Sequence, residues 1–306
     1  MRRLGVVLAL GLTAWLAAVA TPAFGTYPGT NGKIAFSTDL LGSPQIFTVN
    51  PDGSGETQLT FPKSGHNSAP DWSPDGTKIV FAGDATGEWQ IYLMNADGSG
   101  RQQLTLDPGF DHLNPKFSPD GTKVVFGGCP FQATCAIYVM KADGTGETRL
   151  TSLVWNSFNP EFSPDGSKIV FDSNKGGYLS AIWVMSANGK HQHRLTAPAL
   201  EADFPHWSPD GTHILFTDFC CLFPSNIWVM NANGTGPTQL THFPKNHQGG
   251  LASYSPDGKK IVLITDLRYP HGCCADLYTM NPDGTDLTLI VADRPAVFFS
   301  AWETSP

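Results

Sequence analysis

The sequence is poor in charge. Asp, Glu, Lys and Arg make up 15% of its 306 residues, against roughly a quarter in a typical soluble domain. Lys and Arg number 19 against 27 Asp and Glu, for a net charge of −8, and there is no basic run. Such a chain lacks the positive stripe that nucleic acid or an anionic lipid surface would require. No Gly-x-Ser-x-Gly occurs, so the nucleophile elbow of α/β hydrolases is missing. No Cys-x-x-Cys occurs, so the spacing of most structural zinc sites is missing too. A single apolar run, Leu4 to Ala20, approaches the length of a membrane span. No cysteine follows it, which argues against a lipoprotein.

That run reads as a targeting segment. Arg2-Arg3 is its basic start, and Ala23-Phe24-Gly25 offers small residues where signal peptidase reads them. Cleavage before Thr26 removes residues 1–25 and leaves 26–306 as one domain. An uncleaved anchor is the competing reading, because the run is near the lower length limit for spanning.

Turn residues are plentiful, with 32 Gly and 24 Pro. The chain is organised around Ser-Pro-Asp-Gly, at Ser73–Gly76, Ser118–Gly121, Ser163–Gly166, Ser208–Gly211 and Ser255–Gly258, with the serines 45, 45, 45 and 47 residues apart. A fixed period near this length means one supersecondary unit repeated, which buries its faces only against its neighbours. Pro presets φ for a tight turn, Asp tolerates the next position, and Gly supplies the positive φ that returns the chain. An aromatic precedes each turn (Trp72, Phe117, Phe162, Trp207, Tyr254) and an apolar run such as Ile79-Val80-Phe81 follows it. A second apolar run, such as Ile91 to Met94, leads into Asp-Gly or Asn-Gly and then Leu-Thr. Each unit is therefore four antiparallel strands without a helix. The two middle strands are apolar without clean alternation, as expected when both faces are buried.

The fold expected is an all-β, six-bladed propeller of four-stranded antiparallel blades. Second strands number six if Ile34-Ala35-Phe36 is included, and third strands number six with Ile46 to Val49 and Leu277 to Met280, whereas first strands with their turn number five. The missing first strand lies at the other end, around residues 298–303, where Trp302 stands as Trp72 does in its unit. Pairing that strand with the N-terminal blade closes the ring.

All six cysteines fall between second and third strands. Cys129 and Cys135 flank one loop and are placed to bridge it. Cys220-Cys221 and Cys273-Cys274 lie on neighbouring blades, where export permits disulfides between their loops. A thiolate metal site built from the two vicinal pairs is the rival reading.

The unit Pro-x-aromatic-Ser-Pro-Asp-Gly-x-x-Ile-Val-Phe, then Ile-Tyr-Val-Met-Asn-Ala-Asp-Gly-Thr-Gly and Leu-Thr, resembles the WD-like (PD40) repeat of TolB-type propellers over residues 27–303. The resemblance implies a six-bladed propeller of the cell envelope that binds proteins; in TolB the partner is a peptidoglycan-associated lipoprotein. TolB has a further N-terminal α/β domain, for which Thr26 to Lys33 leaves no room here. Related propellers cap prolyl-oligopeptidase-type hydrolases. With no second domain and no nucleophile elbow, that activity is not carried over.

Strand order assigns the Ser-Pro-Asp-Gly and Asp-Gly turns to one rim, and the second-to-third-strand loops and blade-to-blade connections to the other. Function on a rigid scaffold tends to sit on the variable loops. Seven residues before each turn serine stand His66, Asp111, Asn156, Glu201 and Gln248, a polar ring at the channel mouth with His112, Asp203 and His247 close by. This ring is the expected contact for a ligand or partner, and a divalent cation is possible there. The competing reading is that a wet channel mouth simply carries polar residues. Asp75, Asp120, Asp165, Asp210 and Asp257 recur once per turn and read as structural. Trp89, Trp155, Phe110, Phe131, Phe219 and Phe223 are placed to form an exposed apolar rim.

These residues suggest an exported, periplasmic or extracellular binding propeller without a catalytic residue or resident cofactor. It would engage an envelope or extracellular protein or peptide as a monomer, with no nucleic acid and no membrane insertion after cleavage. The alternatives are a metal-assisted polysaccharide lyase or hydrolase at the channel mouth, and a purely structural surface protein.

Overall fold

The computed structural model of the chain describes residues 29–39, 42–177, 179–197, 200–218, 224–269, 275–293 and 297–305. The leader at 1–25, Cys220, Cys221, Cys273, Cys274, Phe219 and Phe223 lie outside them. The described residues form six four-stranded antiparallel sheets. Apart from the single turn Pro62–Ser64, they contain no helix.

Blade 2 shows the plan: Asn67–Trp72 innermost, then Lys78–Gly83, Gln90–Asn95 and the two-residue outer strand Gln102–Gln103. Blade 3 begins with Phe110–Phe117, blade 4 with Ser157–Phe162, blade 5 with Asp203–Trp207 and blade 6 with Gly249–Tyr254. Blade 1 is shared between the two ends. Its innermost strand, Val297–Ser305, pairs antiparallel with Thr30–Asp39, Ala301 opposite Ala35 and Ser305 opposite Thr30. Each innermost strand packs against the next, and the C-terminal strand stands between those of blades 6 and 2. The ring is thus closed through both ends of the chain.

The core lies between blades. Ile34, Phe36, Phe81, Phe126, Phe171 and Phe216, all on second strands, are fully buried. Each side of a blade contributes to a different apolar cluster, as when Val80 and Ile91 of blade 2 meet Phe117, Phe126 and Tyr138 of blade 3.

The short repeated motifs fasten this arrangement. In the first turn the Asp75 carboxylate accepts from Ser73 Oγ at 2.6 Å and from the Thr77 N–H at 3.1 Å, while Ser73 Oγ accepts the Lys78 N–H. The same net recurs around Asp120, Asp165, Asp210 and Asp257. Beyond each of the five two-residue outer strands the threonine of Leu-Thr is buried. Its hydroxyl accepts the N–H of an isoleucine near the start of the third strand, as with Thr105 and Ile91 at 2.9 Å. This completes the ladder where the outer strand stops, and a two-residue edge offers little for another chain to pair with. The glycine of each Asp-Gly or Asn-Gly turn faces the preceding blade: a Cβ on Gly144 (φ +87°) would lie 2.7 Å from the carbonyl oxygen of Leu104. Leu-Thr and Asp-Gly are therefore two halves of one blade-to-blade contact.

Candidate functional site

The five residues of the mouth ring occupy equivalent places at the start of five innermost strands, and their polar groups engage the loops around them. His66 donates its backbone N–H to Asp84 Oδ1 at 2.6 Å, and its Nδ1 stands 2.7 Å from Asp84 Oδ2. Asn156 and Gln248 make the same backbone bond, to Asn174 Oδ1 and Asp266 Oδ1. Asp111 Oδ1 accepts the Trp89 N–H, and Asn156 Oδ1 accepts the Cys135 N–H, each from the blade before. Glu201 stands close enough to Asp203 to help raise its pKa. His247 Nδ1 lies 3.3 Å from Asp266 Oδ1. Two of the five, Asp111 and Asn156, thus tie neighbouring blades together at the variable rim. Among the described residues none of its members enters a group of three His, Cys, Asp or Glu side chains close enough to share one ion.

The channel itself is lined three to five residues further along each strand. Every innermost strand carries a bulge there, centred on Ala69, Asn114, Asn159, Phe204, Leu251 and Phe299, all with φ between +43° and +53°. Positive φ at a leucine or phenylalanine is strained, and six-fold repetition marks it as part of the architecture. Pro70, Pro115, Pro160 and Pro205 follow four of these residues and line the channel with them. They need no ladder partner there. Phe204 and Phe299, from blades on either side of blade 6, meet edge to face at 6.2 Å. On the other side Asn114 Nδ2 donates to Asn159 Oδ1, and Asn159 Nδ2 to the buried Asp172 Oδ1 at 2.7 Å. The cavity left is about 60 Å³, far below the several hundred Å³ of a small-molecule pocket.

Deeper in the channel, four successive blades each present one charged or titratable residue: Asp71, Lys116, Glu161 and His206. Lys116 Nζ lies 3.0 Å from Asp71 Oδ1, and His206 Nε2 lies 3.6 Å from Glu161 Oε2. Glu161 and Asp71 also accept the N–H groups of Trp207 and Phe117 on the next blade. Burial pushes the Glu161 carboxyl up to about 8, although Lys116 alongside favours its charged form. Burial, aided by Lys116, pulls the His206 imidazole down to about 3. Burial raises the Asp71 carboxyl too, against the pull of Lys116, and at neutral pH Glu161 is protonated and the His206 imidazole neutral beside the Asp71–Lys116 contact. Asp172 is raised by burial and by the charge of Asp203.

This inner layer was not singled out by sequence reasoning. The available signal was position: these residues stand immediately before the repeated aromatic and differ from blade to blade within an otherwise constant motif.

The variable rim is where apolar surface accumulates. Phe61, Leu106, Phe131, Val154, Trp155 and Leu179, six of the eight exposed large hydrophobic residues among those described, lie on its loops and connections. Phe131, 77% exposed, sits at the tip of a loop closed by the Cys129–Cys135 disulfide. That loop is hydrogen-bonded on one side to Gly109 and on the other, through Thr134 Oγ1, to the Leu153 carbonyl. It therefore bridges the two connections that carry Leu106 and Val154-Trp155. Two residues expected on the apolar rim are instead partly buried. Trp89 stacks on His66, and Phe110 packs edge-on against Tyr138.

The sequence profile of the TolB β-propeller family (PD40) matches residues 62–130 and 112–220, together just over half of the chain. Among solved structures, TolB from Acinetobacter baumannii superposes with a TM-score of 0.75 at 22% identity, over 89% of this chain and 66% of that one. A putative TolB from Agrobacterium tumefaciens gives 0.68 at 19% identity, covering 90% and 93%. An oligogalacturonate lyase in complex with manganese gives 0.56 at 15% identity, covering 86% and 74%. The chain thus spans just under two thirds of the Acinetobacter protein, and at these identities the likeness shows the fold alone. No curated protein matches the sequence closely enough to count.

Proposed function

The chain belongs to the TolB β-propeller (PD40) family, and on that premise we propose that it is an exported, non-catalytic scaffold holding an envelope or extracellular protein or peptide on its variable-loop rim. The observation that carries this reading is the apolar surface on that rim at blades 3 and 4, centred on Phe131 and Trp155 beside the mouth ring. Aromatic side chains displayed on rigid loops are typical anchors of protein interfaces. The channel cavity of about 60 Å³ is small for a peptide or sugar, which supports a contact outside the channel. The ring residues His66, Asp111, Asn156, Glu201 and Gln248 would form its polar centre.

A second reading, a metal-assisted polysaccharide lyase or hydrolase at the channel mouth, draws on the fold likeness to the manganese-bound lyase and on the two mouth histidines, His66 and His247. One preparation tests both. The mature 26–306 chain serves as bait for native envelope and culture fluid. A Phe131→Asp/Trp155→Asp variant and a His66→Ala/Asp111→Ala/Glu201→Ala variant run alongside. Binding reads out as a protein retained by the parent and lost by the apolar variant, the ring variant showing what the polar centre adds. If no protein is retained, but metal and uronate-cleaving activity are present in the parent and absent from the ring variant, the lyase reading replaces it.

A further inference from the structure

His112 is fully buried in the cleft between blades 2 and 3, and neither of its ring nitrogens has a hydrogen-bond partner. Its ring is held between aromatics, 4.9 Å from Phe110 and 5.3 Å from Phe126. The side chains at the equivalent positions in the flanking blades make hydrogen bonds within the protein. Asn67 Nδ2 donates to Gln45 Oε1 and to the Gly65 carbonyl, and Ser157 Oγ donates to Ser173 Oγ. An imidazole buried without a partner is costly, so this one calls for a partner from outside the chain.

His112 Nε2 is aimed at two carboxylates, 3.7 Å from Asp107 Oδ2 and 3.6 Å from Glu147 Oε2. Both distances are too long for hydrogen bonds. They are close to the edge of a tetrahedron of N and O donors about 2.1 Å from a central ion, which is about 3.4 Å. All three donor atoms lie within 4.8 Å of one another, and two carboxylates that close repel unless a cation lies between them.

We propose that Asp107, His112 and Glu147 bind a divalent metal ion of zinc's class. One imidazole nitrogen and two carboxylate oxygens suit such an ion. Calcium, which takes six to eight oxygens, is poorly served. Asp107 is more than half exposed, so the ion enters past it, and solvent holds the fourth position. The three ligands come from different parts of the fold: the connection from blade 2, the innermost strand of blade 3, and the turn before the outer strand of blade 3. The ion is therefore a clasp across blade 3, next to Leu106 at the rim. None of its ligands belongs to the proposed mouth ring.

The test uses the purified chain, stripped with a chelator and titrated with Zn²⁺ by calorimetry and with Co²⁺ by visible absorption. One tight site per chain is expected, with a Co²⁺ spectrum of N/O ligands and no thiolate charge-transfer band. Asp107→Asn and Glu147→Gln preserve shape at partly exposed positions, and circular dichroism verifies their fold. Each should weaken binding by more than about 100-fold, beyond the loss of an outer-shell partner. Zn²⁺ should raise the melting temperature of the parent and leave that of Glu147→Gln unchanged. Absence of Zn²⁺ or Co²⁺ binding at millimolar ion overturns the proposal. So does binding that survives in both carboxylate variants, or that shows a thiolate band, which would place the metal on cysteines instead.

Discussion

The inner channel layer makes two residues sensitive to pH in opposite directions. Glu161 is raised from its ordinary value of 4.5 to about 8 by burial. Its contribution to stability is complete below 4.5 and is lost as pH rises toward 8, because the unfolded chain ionises first. His206 is lowered from 6.5 to about 3, again chiefly by burial. Its contribution is present above 6.5 and is lost as pH falls toward 3. In thermal melts across this range, Glu161→Gln should gain on the parent as pH rises from 4.5 to 8, by on the order of 1 kcal/mol per pH unit. Parallel pH profiles for the two proteins would show that Glu161 is ionised in the folded state. The sequence does not display this layer because burial of Glu161 depends on the ring closing around it. The residue before Phe162 looks like any charged residue flanking a turn until five other strands surround it. The mouth ring was legible by position, but the bonds that hold it to neighbouring loops were not, since Asp84 lies 18 residues from His66 and Trp89 lies 22 from Asp111.

At the scale of the element, the repeated motifs were legible because their chemistry is local. Ser-Pro-Asp-Gly closes its own hydrogen bonds within six residues, and the reading of its aspartates as structural agrees with the bonds they accept. Partial burial would raise these carboxyls, but the serine hydroxyl and the following N–H outweigh it and hold them low. Their contribution is therefore present above the ordinary value of 3.8 and is lost as pH falls through the lowered one. Asp120→Ala should cost about 1–2 kcal/mol in denaturant unfolding, as loss of a capping acceptor does. Asp120→Asn, which keeps an acceptor oxygen, should cost less, and Asp165→Ala should match Asp120→Ala. A much larger effect at one turn would mean that turn has a separate role. Leu-Thr and Asp-Gly were visible as repeats, but their meaning was not, because the two halves come from different blades. Gly144→Ala combines a positive φ with an approach of 2.7 Å to Leu104 O and should destabilise by more than about 2 kcal/mol. If it instead melts like the parent, that blade contact has slack the structure does not show. The Cys129–Cys135 loop is short, so replacing both with serine should cost about 2 kcal/mol in the chain-entropy picture and weaken any partner held by Phe131.

For the whole molecule, the deficit of one first strand pointed to the shared blade, and the closure follows from how that strand is buried. Trp302 packs with Ile34, Phe36 and Phe47 of its own blade and with Val262, Ile264 and Leu277 of blade 6. Ala301 faces the other way, into the cluster with Trp72, Ile79 and Phe81 of blade 2. One strand thus completes two of the six cores. Truncating a buried tryptophan costs about 3–5 kcal/mol, a large part of the 5–15 kcal/mol that holds a typical domain folded. Trp302→Ala should therefore melt earlier but still cooperatively. A chain ending at Asp293 should lose its cooperative transition, because blades 6 and 2 would both face an open gap. Ser305 lies opposite Thr30 in an antiparallel pair, so a short turn can join them. Moving residues 297–305 ahead of Thr30 through such a turn should restore the parent's melting curve. If the truncated chain melts like the parent, the C-terminal strand is not what closes the ring. If the permuted chain fails while the parent folds, the closure depends on more than strand pairing.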